Sequence, residues 1–309
     1  MDKKRNKKKQ TRIFEPFSEW VYFKIYTGTK TADKIIINQF SIITQKLKKE
    51  DVINKWFFVR YADPKNHLRI RFNLGNTTSF NALNNLLQKQ LSPLVKSGLI
   101  WKIQTDTYQR ELERYGHETM ELSEDFFYIN SEAILGLLKL FSSDAAQENR
   151  FIIGLLGVVK LYDAYGYSIQ ERLSLIEEGA ISYGREFGLQ NSQKLRDKIK
   201  TDYRKLLPQM EFLLAAKSTN TGLDLAICTS AERIYKKQNK ALLPIAKMFK
   251  FNSYEKSIDE LMSSYIHMFV NRFFSDNQRF QELIIYQLLE KYYKAQISRQ
   301  KYNPSSNGK

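Results

Sequence analysis

Three short stretches of this 309-residue chain carry residue types suited to chemistry rather than packing. In His67-Leu68-Arg69-Ile70-Arg71-Phe72 the types alternate. A strand would turn Leu68, Ile70 and Phe72 one way and His67, Arg69 and Arg71 the other, with same-face neighbours ~6.6 Å apart. Two guanidiniums on one face of a central strand are costly unless anions meet them. A bound anion or carboxylates of the chain itself would both serve, and spacing leaves the two open. Tyr108-Gln109-Arg110-Glu111-Leu112-Glu113-Arg114-Tyr115-Gly116 mixes both charge signs. If it turns helical, Glu111 and Arg114 are neighbours one turn apart and orient each other, although a solvated turn would use the same residues. The third stretch is 257–274, SIDELMSSYIHMFVNRFF. Leu261, Tyr265, Met268, Phe269 and Phe273 form an apolar stripe there, and Ser263, His267 and Asn271 form one polar line. Histidine titrates near neutrality and can move protons, and an amide one turn on can orient it. A histidine packed for structure alone is the competing reading.

These residues need elements to hold them. Glu19–Tyr26 alternates with a period of two and predicts a strand. Residues 33–48 carry Ile35, Ile36, Phe40, Ile43 and Leu47 at helical spacing. Trp56–Tyr61 predicts a buried strand, Asp63-Pro64-Lys65-Asn66 a turn, and His67–Leu74 a second strand. A helix over 80–95 and a strand over 99–107 follow. The order β-α-β-β-α-β predicts a ferredoxin-like sheet unit, so the fold class is α+β. Beyond residue 122 the pattern is helical: 124–142, 144–165, 168–188, 191–215, 220–238, 241–250, 254–274 and 276–300. The expected division is a disordered basic tail over 1–14, a sheet subdomain over 15–122, and a helical subdomain over 123–300. A polar tail covers 301–309. The helical part is expected to pack on the free sheet face, and Arg71, Arg114 and His267 to converge on one cleft.

Composition narrows the function. Lys and Arg number 49 against 33 Asp and Glu, for a net charge of +16. Of this, +5 sits in the first ten residues, MDKKRNKKKQ, and the rest is spread without a long basic run. A solvated arm and an acidic substrate or partner account for the excess, so direct nucleic-acid binding is not expected. Residues 1–12 are expected to be dispensable for catalysis. No stretch suits a membrane span or secretory signal. The single cysteine, Cys228, cannot form an internal disulfide, and no Cys/His cluster has metal-ligand spacing. A cytoplasmic protein without metal or cofactor is expected. There is no Gly-rich phosphate loop, HExxH or GxSxG.

The segments WFFVRYADPKNHLRIRF (56–72), YQRELERYG (108–116) with EDFFYINSEA (124–133), and HMFVNRFF (267–274) resemble the C-terminal domain of lantibiotic dehydratases. That domain also occurs in thiopeptide-type bacteriocin biosynthesis proteins. The resemblance runs from about residue 18 to 295, and the N-terminal glutamylating module of full-length dehydratases does not fit within 309 residues. It implies a lyase that eliminates glutamate from glutamylated Ser or Thr of a precursor peptide, leaving dehydroalanine or dehydrobutyrine. It also implies Arg71, Glu111, Arg114 and His267 as catalytic, and with them Arg69, His67, Tyr108 and Asn271 are taken as substrate-binding. Fixed guanidiniums would stabilise enolate charge, and the histidine would move protons. The implied partners are the precursor peptide with its leader, a separate glutamyl-tRNA-dependent glutamylating protein, and a second copy of the chain. Two positions depart from the family pattern: His117 stands where a second glycine is common, and Asn130-Ser131 where Asp-Ser is common. Two other readings remain: a pyridine-forming aza-cycloaddition enzyme, and a non-catalytic module that binds a leader peptide or partner.

Overall fold

The computed structural model describes residues 10–76, 79–141, 144–216 and 221–302. The expectations for residues 1–9 and 303–309 lie outside the described residues. The chain divides into two units, residues 1–131 with 248–261 and residues 132–247 with 262–309. The first boundary falls at 131 rather than 122.

The first unit begins with β1 (Ile13–Phe14), β2 (Trp20–Thr27), α1 (Thr29–Ile35) and α2 (Ser41–Lys49), the two helices being joined by a π-helical turn over Ile36–Phe40. Then come β3 (Ile53–Tyr61), β4 (His67–Leu74), α3 (Phe80–Lys96), β5 (Ile100–Asp106), β6 (Tyr108–Gln109), α4 (Leu112–Tyr115) and the start of α5 (Met120–Leu138). Four strands pair antiparallel in the order β3-β4-β2-β5. Period-two alternation does what it predicts. Val21, Phe23 and Ile25 of β2, with Leu68, Ile70 and Phe72 of β4, are buried on one face, as are Ile35, Ile36, Phe40, Ile43 and Leu47 of the first helices and Leu83, Leu87 and Leu91 of α3. The opposite face is apolar at one end, where Trp20 packs against Phe57 and Tyr108, and Phe57 against Phe127 of α5. At the other end it is polar.

The expected tail over 1–14 is too long by at least five residues. β1 pairs with β6, Phe14 opposite Tyr108, and Phe14 is buried. The cause is Arg110, whose guanidinium donates to Gln10 Oε1 and to the Thr11 carbonyl, both at 3.0 Å. Arg110 in turn makes a forked pair with Glu124, Nε to Oε1 at 2.7 Å and Nη2 to Oε2 at 2.6 Å, while Tyr108 donates its hydroxyl to Oε1 at 2.8 Å. Arg110 and Glu124 are both buried. Removing one partner strands the other charge, which costs ~3–5 kcal/mol. Glu124→Ala is therefore expected to lower the urea midpoint by that amount of stability and to expose the Gln10–Phe14 segment to proteolysis. An unchanged midpoint would show the pair to be idle.

The second unit continues with the rest of α5, then α6 (Asp144–Gln147), α7 (Arg150–Ala164), α8 (Ile169–Glu186), α9 (Gln193–Ala215), α10 (Leu225–Phe251) and α11 (Ile258–Phe273), of which 248–251 and 258–261 belong to the first unit, and α12 (Gln278–Tyr302). Among the described residues it contains no strand. The helices expected over 220–238 and 241–250 are one helix, α10, because its buried stripe runs unbroken through Ile227, Ala231, Tyr235, Gln238, Leu242 and Ile245. The polar run Lys236–Lys240 is mostly its solvent face. α7 is buried nearly all round, and a Cβ at Gly154 or Gly157 would collide with Phe273 or Phe269 of α11. α8 and α12 lie side by side: Gly179 admits the Tyr286 ring, Gln287 donates to the Ala180 carbonyl, and Arg279 pairs with Glu186. A capping box of Ser168 and Glu171 starts α8. This helix pair supports the histidine described next.

Candidate functional site

In the first unit, β4 places Arg71 opposite Tyr22 of β2 and Phe57 of β3, Arg69 opposite Lys24 and Val59, and His67 opposite Tyr26 and Tyr61. The Arg71 guanidinium lies 4.3 Å from the centre of the Tyr22 ring, 4.8 Å from Tyr108 and 5.4 Å from Phe57. Aromatic faces hold a guanidinium flat without neutralising it. Arg71 Nε and the Tyr22 hydroxyl are both buried and without a hydrogen-bond partner. Burial raises the Tyr22 hydroxyl above its ordinary pKa of 10.0, although Arg71, Arg69 and Lys24 pull the other way. Arg69 lies 3.4 Å from the Tyr61 ring centre and donates Nε–H to His67 Nε2 at 3.1 Å. Neither arginine makes an ion pair among the described residues. The carboxylate on this face, Asp106, is taken by Lys24. Within the first unit, among the described residues, no carboxylate pairs with Arg69 or Arg71.

Two residues expected at the substrate are occupied otherwise. Tyr108 is buried and its hydroxyl is bound to Glu124, so it serves Arg71 through its ring face. His67 is buried, with one ring nitrogen on the Lys65 carbonyl at 2.8 Å and the other on Arg69. Glu111 and Arg114 are the helical neighbours that their spacing predicts, 3.7 Å apart at the start of α4 and both solvent-accessible. Gly116 ends this turn at φ +74°, where a Cβ would also strike Thr119 and Lys256.

In the second unit, Ser263, His267 and Asn271 do form an accessible line on α11, with Met268 beside it, and the helix is otherwise buried from residue 261 to 273. The group that orients His267 is not Asn271. It is Glu282 of α12, whose Oε2 lies 2.9 Å from His267 Nδ1, with the Tyr183 hydroxyl 3.4 Å from the same nitrogen. A carboxylate only accepts, so the contact puts a proton on Nδ1, and in the neutral ring that leaves the lone pair on Nε2. Nε2 makes no hydrogen bond among the described residues. Glu282 is fully buried, and its Oε1 has no partner. Burial and the adjacent Glu282 push the Tyr183 hydroxyl well up, so it stays protonated. Spacing missed Glu282, because no local rule links a carboxylate to a histidine on the preceding helix. It also missed Tyr22 and Phe57, which register alone brings to Arg71. No group of three His, Cys, Asp or Glu among the described residues is placed to hold a metal ion, and no helix is long and apolar enough to cross a membrane.

Two guanidiniums held on aromatic rings and a carboxylate-backed histidine are groups for acid–base chemistry on an anionic or amide-bearing substrate. Comparison with known proteins gives the context. The family model of the lantibiotic biosynthesis dehydratase C-terminal domain matches residues 20–293. The chain belongs to that family. This dehydratase-type domain is 27% identical over 179 residues to the subtilin biosynthesis protein SpaB of Bacillus subtilis, covering 57% of the chain and 17% of SpaB. It therefore spans under a fifth of that relative's length. Its fold matches the crystal structure of the tRNA-dependent lantibiotic dehydratase MibB from Microbispora, with a TM-score of 0.71 at 19% identity over 93% of the chain and 29% of MibB. It also matches the pyridine synthase TbtD from thiomuracin biosynthesis, with a TM-score of 0.61 at 14% identity over 90% of the chain and 100% of TbtD. These are likenesses of fold.

Proposed function

We propose that this dehydratase-family chain eliminates glutamate from glutamylated Ser or Thr residues of a precursor peptide. The observation that carries the proposal is the pair of guanidiniums on β4 that aromatic rings hold flat and no carboxylate among the described residues neutralises. His267 Nε2 takes the Cα proton of the esterified residue, with Glu282 stabilising the imidazolium that forms. The resulting negative charge develops on the adjacent amide oxygen, where Arg71 donates to it. The Cβ–O bond then breaks, Cα=Cβ forms, and glutamate leaves as a carboxylate. Arg69 and the Glu111–Arg114 pair hold the departing amino acid, a guanidinium on its free carboxylate and Glu111 on its ammonium group. Asn271 contacts the peptide beside His267. The strand order β3-β4-β2-β5 supports the ferredoxin-like reading of the sheet that carries the arginines. Partners on this reading are a precursor peptide with its leader, a separate glutamyl-tRNA-dependent glutamylating protein and a second copy of the chain.

The test is a precursor peptide already carrying glutamyl esters, incubated with the protein without tRNA, ATP or added metal. Loss of the glutamyl mass together with one water per modified residue is expected. Intact esters after prolonged incubation would defeat the proposal. The fold match to the whole of TbtD favours pyridine formation as the second reading. A protein that ignores the esters but cyclises a peptide bearing two dehydroalanines would establish it.

A further inference from the structure

We propose that His67 is a positioning residue that, as a neutral ring anchored on the Lys65 carbonyl, aims Arg69 at an anion and releases it on protonation. The identity of the anion rests on the elimination reading; the coupling of His67 to Arg69 does not.

The geometry leaves one protonation state. The Lys65 carbonyl only accepts, so the 2.8 Å contact requires a proton on His67 Nδ1. Arg69 Nε only donates, so the 3.1 Å contact requires a bare lone pair on His67 Nε2. Both are met only by the neutral ring with its proton on Nδ1. The ring cannot turn away: Tyr26 stacks on it at 4.8 Å with 30° between planes, and Tyr61 lies against it at 5.5 Å. Tyr61 also carries the Arg69 guanidinium on its face. Arg69 is thus held at its Nε and on one flat side, and its two terminal nitrogens make no hydrogen bond among the described residues. That is the arrangement a planar carboxylate needs for a forked contact.

Protonation undoes it. A proton on Nε2 sets donor against donor and adds a positive charge beside a guanidinium that never loses its own. The charges that act on the ring are Arg69 on its own strand, Lys24 of β2 and Asp63 of the preceding turn, and Lys102 of β5 lies over Tyr26. Three of the four are positive. Burial first, then Arg69 and Lys24, lower the ring below its ordinary 6.5, with the Lys65 carbonyl and Asp63 opposing. The unfolded chain binds this proton more readily than the folded one, so the arrangement is fully present above pH ~6.5 and is lost as pH falls through the lower folded value.

The full chain with 15N-labelled histidine tests the coupling by NMR without any substrate. His67 is expected to show the Nδ1–H tautomer and to titrate below 6.5, and to titrate higher in Arg69→Met, because the coupling is reciprocal. An Nε2–H tautomer, or equal titration in the two proteins, would overturn the proposal. On glutamylated peptide, His67→Ala is expected to raise KM about tenfold with kcat nearly kept, the loss of one charged hydrogen bond. His67→Gln, whose amide both donates and accepts, is expected to restore KM and to abolish its rise on the acid side, since it does not titrate. A His67→Gln protein whose KM still rises on the acid side would overturn the proposal even if His67→Ala does not fold. If the peptide is not a substrate at all, the elimination reading fails while the tautomer and titration still decide this one.

Discussion

Arg71→Ala is expected to stay folded and to leave glutamylated peptide with its glutamyl mass retained. The loss should be ~10²–10³ in rate, the usual effect of removing one pre-organised donor from a developing oxyanion. Folding survives because Arg71 contributes no ion pair among the described residues, only ring contacts with Tyr22, Tyr108 and Phe57. Arg71→Lys should rescue little. An ammonium is a compact point charge that cannot lie flat against Tyr22 or offer two parallel donors. His267→Ala should be at least as slow, since it removes the group that takes the proton. The measurement is the time course of ester loss by mass spectrometry, with circular dichroism confirming the fold. Parent-like rates for both alanine variants would remove Arg71 and His267 from the mechanism.

Glu282→Gln separates catalysis from stability at the second unit's site. Glu282 is buried with Oε2 on His267 and Oε1 unpartnered. A buried carboxylate with an unsatisfied oxygen is a burden on the fold, and a neutral amide of the same shape relieves part of it. The variant is therefore expected to melt at or above the parent temperature. Its amide no longer stabilises an imidazolium, and it can point its NH2 at Nδ1 and fix the wrong tautomer. A fall of ~10²-fold or more in kcat is expected, with KM little changed because nothing places Glu282 against the peptide. A variant that melts lower and turns over normally would mark Glu282 as structural. Tyr183→Phe removes the weaker 3.4 Å neighbour of the same nitrogen and should cost far less.

The amino-acid order by itself determined whatever depends on neighbours along the chain. Alternation in β4 put His67, Arg69 and Arg71 on one face and Leu68, Ile70 and Phe72 on the other, because successive side chains of a pleated strand point opposite ways. Helical spacing brought Glu111 to Arg114 and lined up Ser263, His267 and Asn271 along α11, because residues three or four apart share a helix face. Only tertiary structure decided the partners. Tyr22 and Phe57 reach Arg71 through the register of three strands, and Glu282 reaches His267 from a following helix that α8 helps to hold. The strand at Ile13–Phe14 was hidden for the same reason: two residues show no periodicity, and what orders them is a guanidinium about a hundred positions away. Periodicity records which way a side chain faces. What it meets there depends on contacts between segments distant in sequence, and those contacts give two arginines and a histidine their partners and their aim.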